Sequence, residues 1–548
     1  MNNKEIARQF SLLAKLMELH GENAFKTRSY SSAYLTIRKY PEELQSMAPS
    51  DIEKIPGIGK AISSKTAELL STGEIQLLSS YIDKTPPGII EMLQIKGFGP
   101  KKIGTIWNEL EIETIGELMY AINENRLVEL KGFGAKTQAT LKDQLEYHME
   151  SSDKVLYATA EPIAINLVEN LRKVFPKNKI ELTGAIYRKA QIINVVDIIT
   201  DIKEALMNEY IDQSESLLRT DEGIYSQHLK VQLRNTTSEN FYYELTKLSC
   251  GESFWDFLKI EDKSYNSEED VFSDNDLPYI IPEYREDHNV QYYEDAYKPE
   301  TIVTTDDIKG CIHNHSTYSD GVNSLQEMAQ ATMDKGYEYL VITDHSKSAF
   351  YANGLTEDRL IAQLDEVRSI DQSMDDFRLI SGIESDILSD GSLDYADEVL
   401  AELEIIVASV HSNLKMDISK ATNRLITAVE NPYTSILGHP TGRLLLSRKG
   451  YPIDYHKVID ACAANNVAIE INANPLRLDI DWTYVQYAVD KGVLISINPD
   501  AHSTKALDDT YYGVCIARKA GLSKYNCLNA FDIEEIEEWI MEQHQKRP

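Results

Sequence analysis

The stretch KGCIHNHS, residues 309–316, is apolar at its centre and ends in two histidines one residue apart. Its continuation TYSDG (317–321) is built from ordinary turn residues, so on its own the segment reads as a strand entering a polar turn. The same design then recurs six times. YLVITDHS (339–346), RLISGIES (378–385), EIIVASVHS (404–412), TSILGHP (434–440), VAIEINANP (467–475) and VLISINPDAHS (493–503) are each a short apolar run with polar residues after it. Amphipathic helical stretches lie between them. Seven strand-then-helix units predict a parallel α/β barrel. In such a barrel the C-terminal strand ends converge on one face, where active sites are built. Six of the seven ends carry ligand-type residues: His313, His315 and Asp320; His345; Glu384; His411; His439; and Asp500 with His502. One histidine after one strand would be structural, but nine such residues at the same end of successive strands point to metal. Mixed imidazole and carboxylate ligands suit Zn, Mn or Fe better than Mg, and nine are too many for a single ion. Neighbouring divalent ions activate water and stabilise the attacking and leaving oxygens of a displacement, which is the chemistry of phosphoester hydrolysis. Arg443, Asn472 and Asn474 are expected at the same mouth, as phosphate-binding groups.

A chain of 548 residues is too long for one core and predicts about three domains. The net charge of -33 is unevenly spread. Residues 1–150 hold 18 Lys+Arg against 20 Asp+Glu, a balance of -2, so -31 falls on the remaining 398 residues. Phosphate binding needs Lys and Arg, which assigns any nucleic-acid role mainly to the N-terminal part. The five cysteines form no C-x-x-C pair, the start MNNKEIARQFSLLAKLMELHG (1–21) reads as an amphipathic helix, and no apolar run could span a bilayer. The chain is therefore expected to be soluble, reduced and cytoplasmic, with no membrane partner.

Within the N-terminal part, IEKIPGIGKAISSKTAELL (52–70), LQIKGFGPKKIGTIWNEL (93–110) and LVELKGFGAKTQATLKDQL (127–145) repeat one pattern. Each has an apolar lead-in, a G-x-G with Lys nearby, and a helical run. The glycines permit a tight turn with positive φ that brings helix N-terminal N–H groups close to an anion. The expected phosphate-facing groups are Gly57, Gly59, Lys60, Gly97, Gly99, Lys101, Lys102, Gly132, Gly134 and Lys136. Three framed copies resemble helix-hairpin-helix motifs, which imply grip on the DNA backbone without reading its sequence. Residues 155–260 mix strand-like and helical runs, among them KIELTGAIYRKAQIINVVDIITD (179–201) and HLKVQLRN (228–235). From Glu261 to Glu300, thirteen Asp+Glu stand against three Lys+Arg, a composition expected of a solvated linker.

Taken with GENAFKTRSYSSAYLTIRKYP (21–41) and LPYIIPEYRED (277–287), this order of parts resembles a bacterial family X DNA polymerase fused to a PHP (polymerase and histidinol phosphatase) domain. The resemblance covers nearly the whole chain and is poorest in the middle. It implies a multidomain fold: an α-helical helix-hairpin-helix region (1–150), an α+β nucleotidyltransferase-like palm and thumb ending in the acidic linker (151–300), and a (β/α)7 PHP barrel (301–548). It also implies that the nine ligand-type residues form a trinuclear metal site with Mn-dependent 3'–5' exonuclease activity on DNA. Lys65 matches the lyase lysine of the family, and Lys26 and Tyr30 match its 5'-phosphate-binding positions. The polymerase palm looks degenerate. The family's Gly-Ser pair reads Gly184-Ala185, its Asp-x-Asp reads Val195-Val196-Asp197, and its third carboxylate falls on Gln232, so only Asp197 remains. A small-molecule phosphatase of the histidinol-phosphatase type and an active family X polymerase stay open as alternatives.

Overall fold

The computed structural model describes residues 1–95, 97–128, 130–149, 154–214, 216–227 and 229–548, with side chains at 147–149 excepted. The domain boundary expected between 150 and 151, and His228 of the HLKVQLRN run, lie outside the described residues. Contacts divide the chain into one unit of Met1–Ile122 with Arg126–His148, and another of Asn123–Asn125 with Met149–Pro548.

The first unit is helical. Asn2 and Glu5 form a capping box that starts the helix Asn3–Leu19, whose Ile6, Phe10, Leu13 and Met17 are buried at helical spacing. Each G-x-G motif makes the same turn. Gly57, Gly97 and Gly132 have φ of 90°, 94° and 90°, a region that side chains with a Cβ avoid. The second glycine behaves differently from expectation. Gly59 and Gly99 are extended and serve as N-caps of the helices Lys60–Thr72 and Pro100–Leu110, with no side chain capping either. Their first N–H groups are thus left for an external acceptor.

The second unit begins with a five-stranded sheet in the spatial order Ile180–Thr183, Val195–Thr200, Leu229–Asn235, Gly223–Ser226 and Leu218–Thr220. Val195–Thr200 and Leu229–Asn235 run parallel, with Asp197 directly beside Gln232. The sheet buries Val196, Ile198, Val231 and Leu229 against the helix Tyr157–Val174.

The acidic segment expected to be a solvated linker is instead folded. Phe254, Phe272, Ile280, Tyr284, Tyr297 and Ile302 share one apolar cluster. Arg285, fully buried, donates to Glu268 Oε1 at 2.6 Å, to Ser249 Oγ at 2.7 Å and to the Ile280 carbonyl at 2.9 Å. Glu283 and Glu286 meet basic residues from two directions: Lys189 and Arg188 of the preceding sheet region, at 3.2 and 3.1 Å, and Arg518 and Lys519 of a barrel helix, at 3.0 and 2.6 Å. Composition predicts solvation only when acids lack partners, and these are partnered across long sequence separations.

The C-terminal part is the expected barrel. Gly310–Asn314, Tyr339–Ile342, Arg378–Asp386, Ile405–Ser409, Ile436–Leu437, Ala468–Asn472 and Ile495–Asn498 lie in sequence order in a seven-stranded sheet, each parallel to the next. A parallel bridge between Asn314 and Ala501 brings the last strand's extension alongside the first, so the sheet nearly closes. Strand residues alternate between an inner layer and the helical shell, and nearly all are buried, as parallel strands covered on both faces require. Among the described residues no helix is long and apolar enough to cross a membrane. All five cysteines are free and buried.

Candidate metal centre

The barrel brings together all nine ligand-type residues predicted from the strand ends, and each is buried or nearly so. Their ligand atoms fall into overlapping groups: His315, Asp320, His345 and His502; His313, Glu384 and His439; His313, His315 and Asp500; and His345, Glu384 and His411. Within each group the atoms lie within 4.8 Å of one another. Glu384 is the hub. Its Oε1 lies 3.2 Å from His313 Nε2, 3.1 Å from His411 Nε2 and 3.0 Å from His439 Nε2, and its Oε2 lies 2.9 Å from His345 Nδ1. Asp500 Oδ1 is 3.0 Å from His315 Nε2, while Asp320 faces His345 Nε2 at 3.5 Å and His502 Nε2 at 3.3 Å. His313, His439 and Asp500 have positive φ, strain that strand-end geometry imposes while turning these side chains inward.

These residues fit divalent metal. His313 Nε2, His315 Nδ1, both nitrogens of His345, His439 Nδ1, His502 Nε2, Asp320 Oδ2 and Glu384 Oε2 are buried atoms that make no hydrogen bond. Leaving so many polar atoms dry would be costly without cations for them to coordinate. Electrostatics agree. Burial opposes ionisation of Asp320, Glu384 and Asp500, yet the facing imidazoles hold all three well below the usual carboxylate range. His502 is buried too, but Asp320 lifts it to about 9. Burial beside His502 and His345 pushes His315 the other way, to about 3.

A supporting shell orients the ligands, and the sequence reading missed it. Glu470 accepts from His313 Nδ1 at 2.6 Å, Asn498 Nδ2 at 2.8 Å, and the His439 N–H and Asn472 Nδ2 at 3.0 Å each. Asp386 accepts from His411 Nδ1 at 2.6 Å. Asp344 accepts from the Ser316 N–H at 2.8 Å, from the Ser319 hydroxyl and from Gln363 Nε2 at 2.5 Å, which shapes the turn after the first strand. A carboxylate behind an imidazole fixes its tautomer and strengthens it as a ligand. Glu470→Ala is accordingly expected to weaken metal binding by about 10- to 100-fold, with activity recovered at raised metal concentration. Titrating metal-dependent turnover of both proteins measures the shift.

Three expected phosphate-binding residues are already committed within the protein. Arg443 donates to the carbonyls of Arg477, at 3.0 Å, and Leu478, and its Nη1 meets Asp481 at 2.5 Å, so it clamps the turn after the sixth strand. Asn472 donates to Glu470 and to Asp500 at 3.1 Å, and Asn474 Oδ1 accepts the Leu476 N–H at 3.0 Å. Buried Arg477, 3.9 Å from Asp500, is the cation that stands beside the centre.

The other predicted residues lie elsewhere. In the first unit Lys60, Lys101 and Lys136 are exposed and Lys102 is half-buried; a Cβ at Gly59, Gly99 or Gly134 would meet nothing, so these approaches are open. Lys65 is paired with Glu68 at 2.5 Å, Lys26 with Glu22 at 3.8 Å, and Tyr30 is buried with its ring on Phe10. In the second unit Asp197 accepts from Arg234 Nε at 2.9 Å, and Asp201 caps a turn by accepting the Lys179 N–H at 2.9 Å.

Comparison with known proteins agrees with this arrangement. A helix-hairpin-helix domain family matches residues 1–75, a SAM-like helix-hairpin-helix tandem matches 89–146, and the PHP domain family matches 312–474. A probable phosphatase of Thermoanaerobacter sp. (strain X514) is 26% identical over 43% of this chain and 95% of its own length. One from Clostridium acetobutylicum is 35% identical over 23% of this chain and 53% of its own. The DNA polymerase/3'-5' exonuclease PolX of Bacillus subtilis (strain 168) is 32% identical across 98% of this chain and 99% of its own length. That likeness spans nearly the full length of both chains, and the chain therefore belongs to the PolX family.

Proposed function

We propose that this protein is a DNA-end nuclease in which the barrel hydrolyses the 3'-terminal phosphodiester and the hairpins hold the strand. The observation that carries the reading is the nine-residue ligand set of the barrel, seven of whose members keep a buried polar atom without a hydrogen bond, on the same chain as hairpin turns whose helices start without a side-chain cap. His313, His315, Asp320, His345, Glu384, His411, His439, Asp500 and His502 would hold the ions, with Glu384 shared between groups. The set is large enough for three, of Mn, Zn or Fe type. Divalent ions there supply Lewis acidity, activating water and neutralising phosphate charge. The protein's own part is to fix the ligands through Glu470 and Asp386 and to keep bulk water from them by burial. The reading places the enzyme in the cytoplasm, with its DNA substrate.

The probable phosphatases among the relatives favour a second reading, hydrolysis of a small phosphomonoester. A small substrate gives the hairpins nothing to bind. Metal-dependent release of mononucleotides from an oligonucleotide, compared with phosphate release from histidinol phosphate, separates the two. Preference for histidinol phosphate would overturn the first.

DNA contact is assigned to Gly57, Gly59, Lys60, Gly97, Gly99, Lys101, Lys102, Gly132, Gly134 and Lys136, through the backbone and without sequence preference. Combining Lys60→Ala, Lys101→Ala and Lys136→Ala is expected to weaken DNA binding and to flatten the dependence of log K on log salt by about 0.7–0.9 for each phosphate that is no longer neutralised. Fluorescence anisotropy across a salt series reads the slope. The palm is read as inactive in synthesis, since Asp197 is bound to an arginine and flanked by Val195 and Gln232. Lys65, in an ion pair, is read as a helix-surface lysine rather than a lyase nucleophile.

A further inference from the structure

Phe350 is 84% exposed, the most exposed of the large hydrophobic side chains among the described residues. It lies in the segment that follows His345, in a short 3-10 turn, Phe350–Ala352, between buried Ala349 and buried Ala352. Tyr351 is its link to the metal centre. The Tyr351 ring is 6.3 Å from that of Phe350, 6.4 Å from His345 and 6.5 Å from His411. An aromatic series thus runs from two ligand-type histidines to solvent.

The segment is held firmly. Ser348 donates its N–H to Asp394 at 2.6 Å and its hydroxyl to Asp386 at 2.7 Å, the same carboxylate that supports His411. The Leu355 N–H returns to the His345 carbonyl at 2.8 Å. Gly354 sits so close that a Cβ would fall 2.0 Å from the Ser346 carbonyl oxygen. Asn353 has φ of 55° and donates to the carbonyls of Tyr318 and Ser319, and Arg359 ties Asn353 to Tyr318. A phenyl ring presented to water on a braced turn beside a reaction centre has a cost in hydration that the fold itself does not recover. A substrate that covers the ring recovers it.

We infer that Phe350, backed by Tyr351, is a stacking platform for the base of the nucleotide whose phosphodiester enters the metal centre. The inference rests on the nuclease reading and deepens it. A nucleotide carries phosphate and base at its two ends, and the centre and the exposed ring offer one receptor for each. Every base has a π face, so the platform accepts all four, in keeping with an end-directed activity that reads no sequence. Tyr351 positions Phe350 and narrows the approach to His345.

The test uses the full-length metal-loaded enzyme with an oligonucleotide whose terminal 3' linkage is a phosphorothioate and whose terminal base is 2-aminopurine. Stacking quenches that fluorophore on binding. With Phe350→Ala the quench is lost, and with Phe350→Trp it is kept. In steady-state cleavage of the ordinary oligonucleotide, Phe350→Ala lowers kcat/KM about tenfold, as expected for one base–aromatic stack. With an abasic terminal nucleotide the two proteins differ by less than about twofold, since the coupled partner is already missing. Equal quenching in wild type and Phe350→Ala, or equal losses on both substrates, would overturn the platform while leaving the nuclease reading intact. If the wild type cuts neither oligonucleotide, both readings fall together. An exposed side chain is not needed for folding, and matching thermal melts of the variants confirm that the comparison is between folded proteins.

Discussion

Replacing His345 by alanine lowers release of mononucleotides from DNA 3' ends by on the order of a thousandfold or more. His345 belongs to two ligand groups, one with Asp320 and His502 and one with Glu384 and His411, so its loss damages both. Metal-borne stabilisation of a phosphoryl transition state amounts to several kcal/mol, and each 1.36 kcal/mol is about tenfold in rate. Asp500→Asn gives a comparable loss with almost no change of shape, because an amide keeps the volume of Asp500 and discards the charge facing His313 and His315. Chelation of the wild type reproduces the loss, and added Mn or Zn reverses it. The measurement is end-labelled oligonucleotide digestion, with metal content determined on each purified protein. Digestion at the wild-type rate by either variant, with its metal complement reduced, would show that the centre is not the catalyst.

Primer extension gives the opposite expectation: no template-dependent product with Mg or Mn and all four nucleotides, on a His345→Ala background so that degradation cannot hide synthesis. Two-metal nucleotidyl transfer needs clustered carboxylates to offset the charges of two ions and a triphosphate. Asp197 is half-buried, its neighbours on the same face are Val195 and Gln232, and Arg234 already neutralises it at 2.9 Å. Burial raises its pKa in spite of that arginine. Asp201 cannot take over from the far end of the strand, where it caps the turn at Asn178 and Lys179. Extension that disappears on Asp197→Ala would refute this expectation.

The barrel was readable because parallel strands covered on both faces must be short apolar runs, and here each run ends in a change to polar residues that marks the end where the ligand-type residues gather. All nine ligand-type residues followed from that one regularity. Glu470 did not, although it is buried at the centre's base. A single Glu inside VAIEINANP gains meaning only from His313 and Asn498, 157 and 28 residues away in sequence, which strand pairing brings to it. Its presence amid an apolar strand was the available signal. Asp386, two residues beyond Glu384 on one strand face, offered another. For Arg443 the sequence leaves two directions open, since a basic residue after HPTG can reach outward for phosphate or inward for carbonyls, and the backbone at 477–478 accepts its guanidinium. Residues 261–300 misled through averaging. Thirteen acids in forty residues look solvated until Glu283 is seen to meet Arg518, 235 positions later.

That last contact bears on how the protein can be taken apart. Lys519 is 1% exposed, and its ammonium donates to Glu286 at 2.6 Å and to the backbone carbonyls of Arg188 and Glu283 at 2.9 and 3.3 Å. All three partners precede residue 301. A barrel cut away at that point would lose every one of these acceptors for Lys519 and would uncover the surface on which Glu283 and Glu286 are seated. The barrel is consequently not a cassette. Recombination or engineering that transplants the barrel must carry the preceding acidic arm with it, or replace Arg518 and Lys519 by apolar residues in the same step.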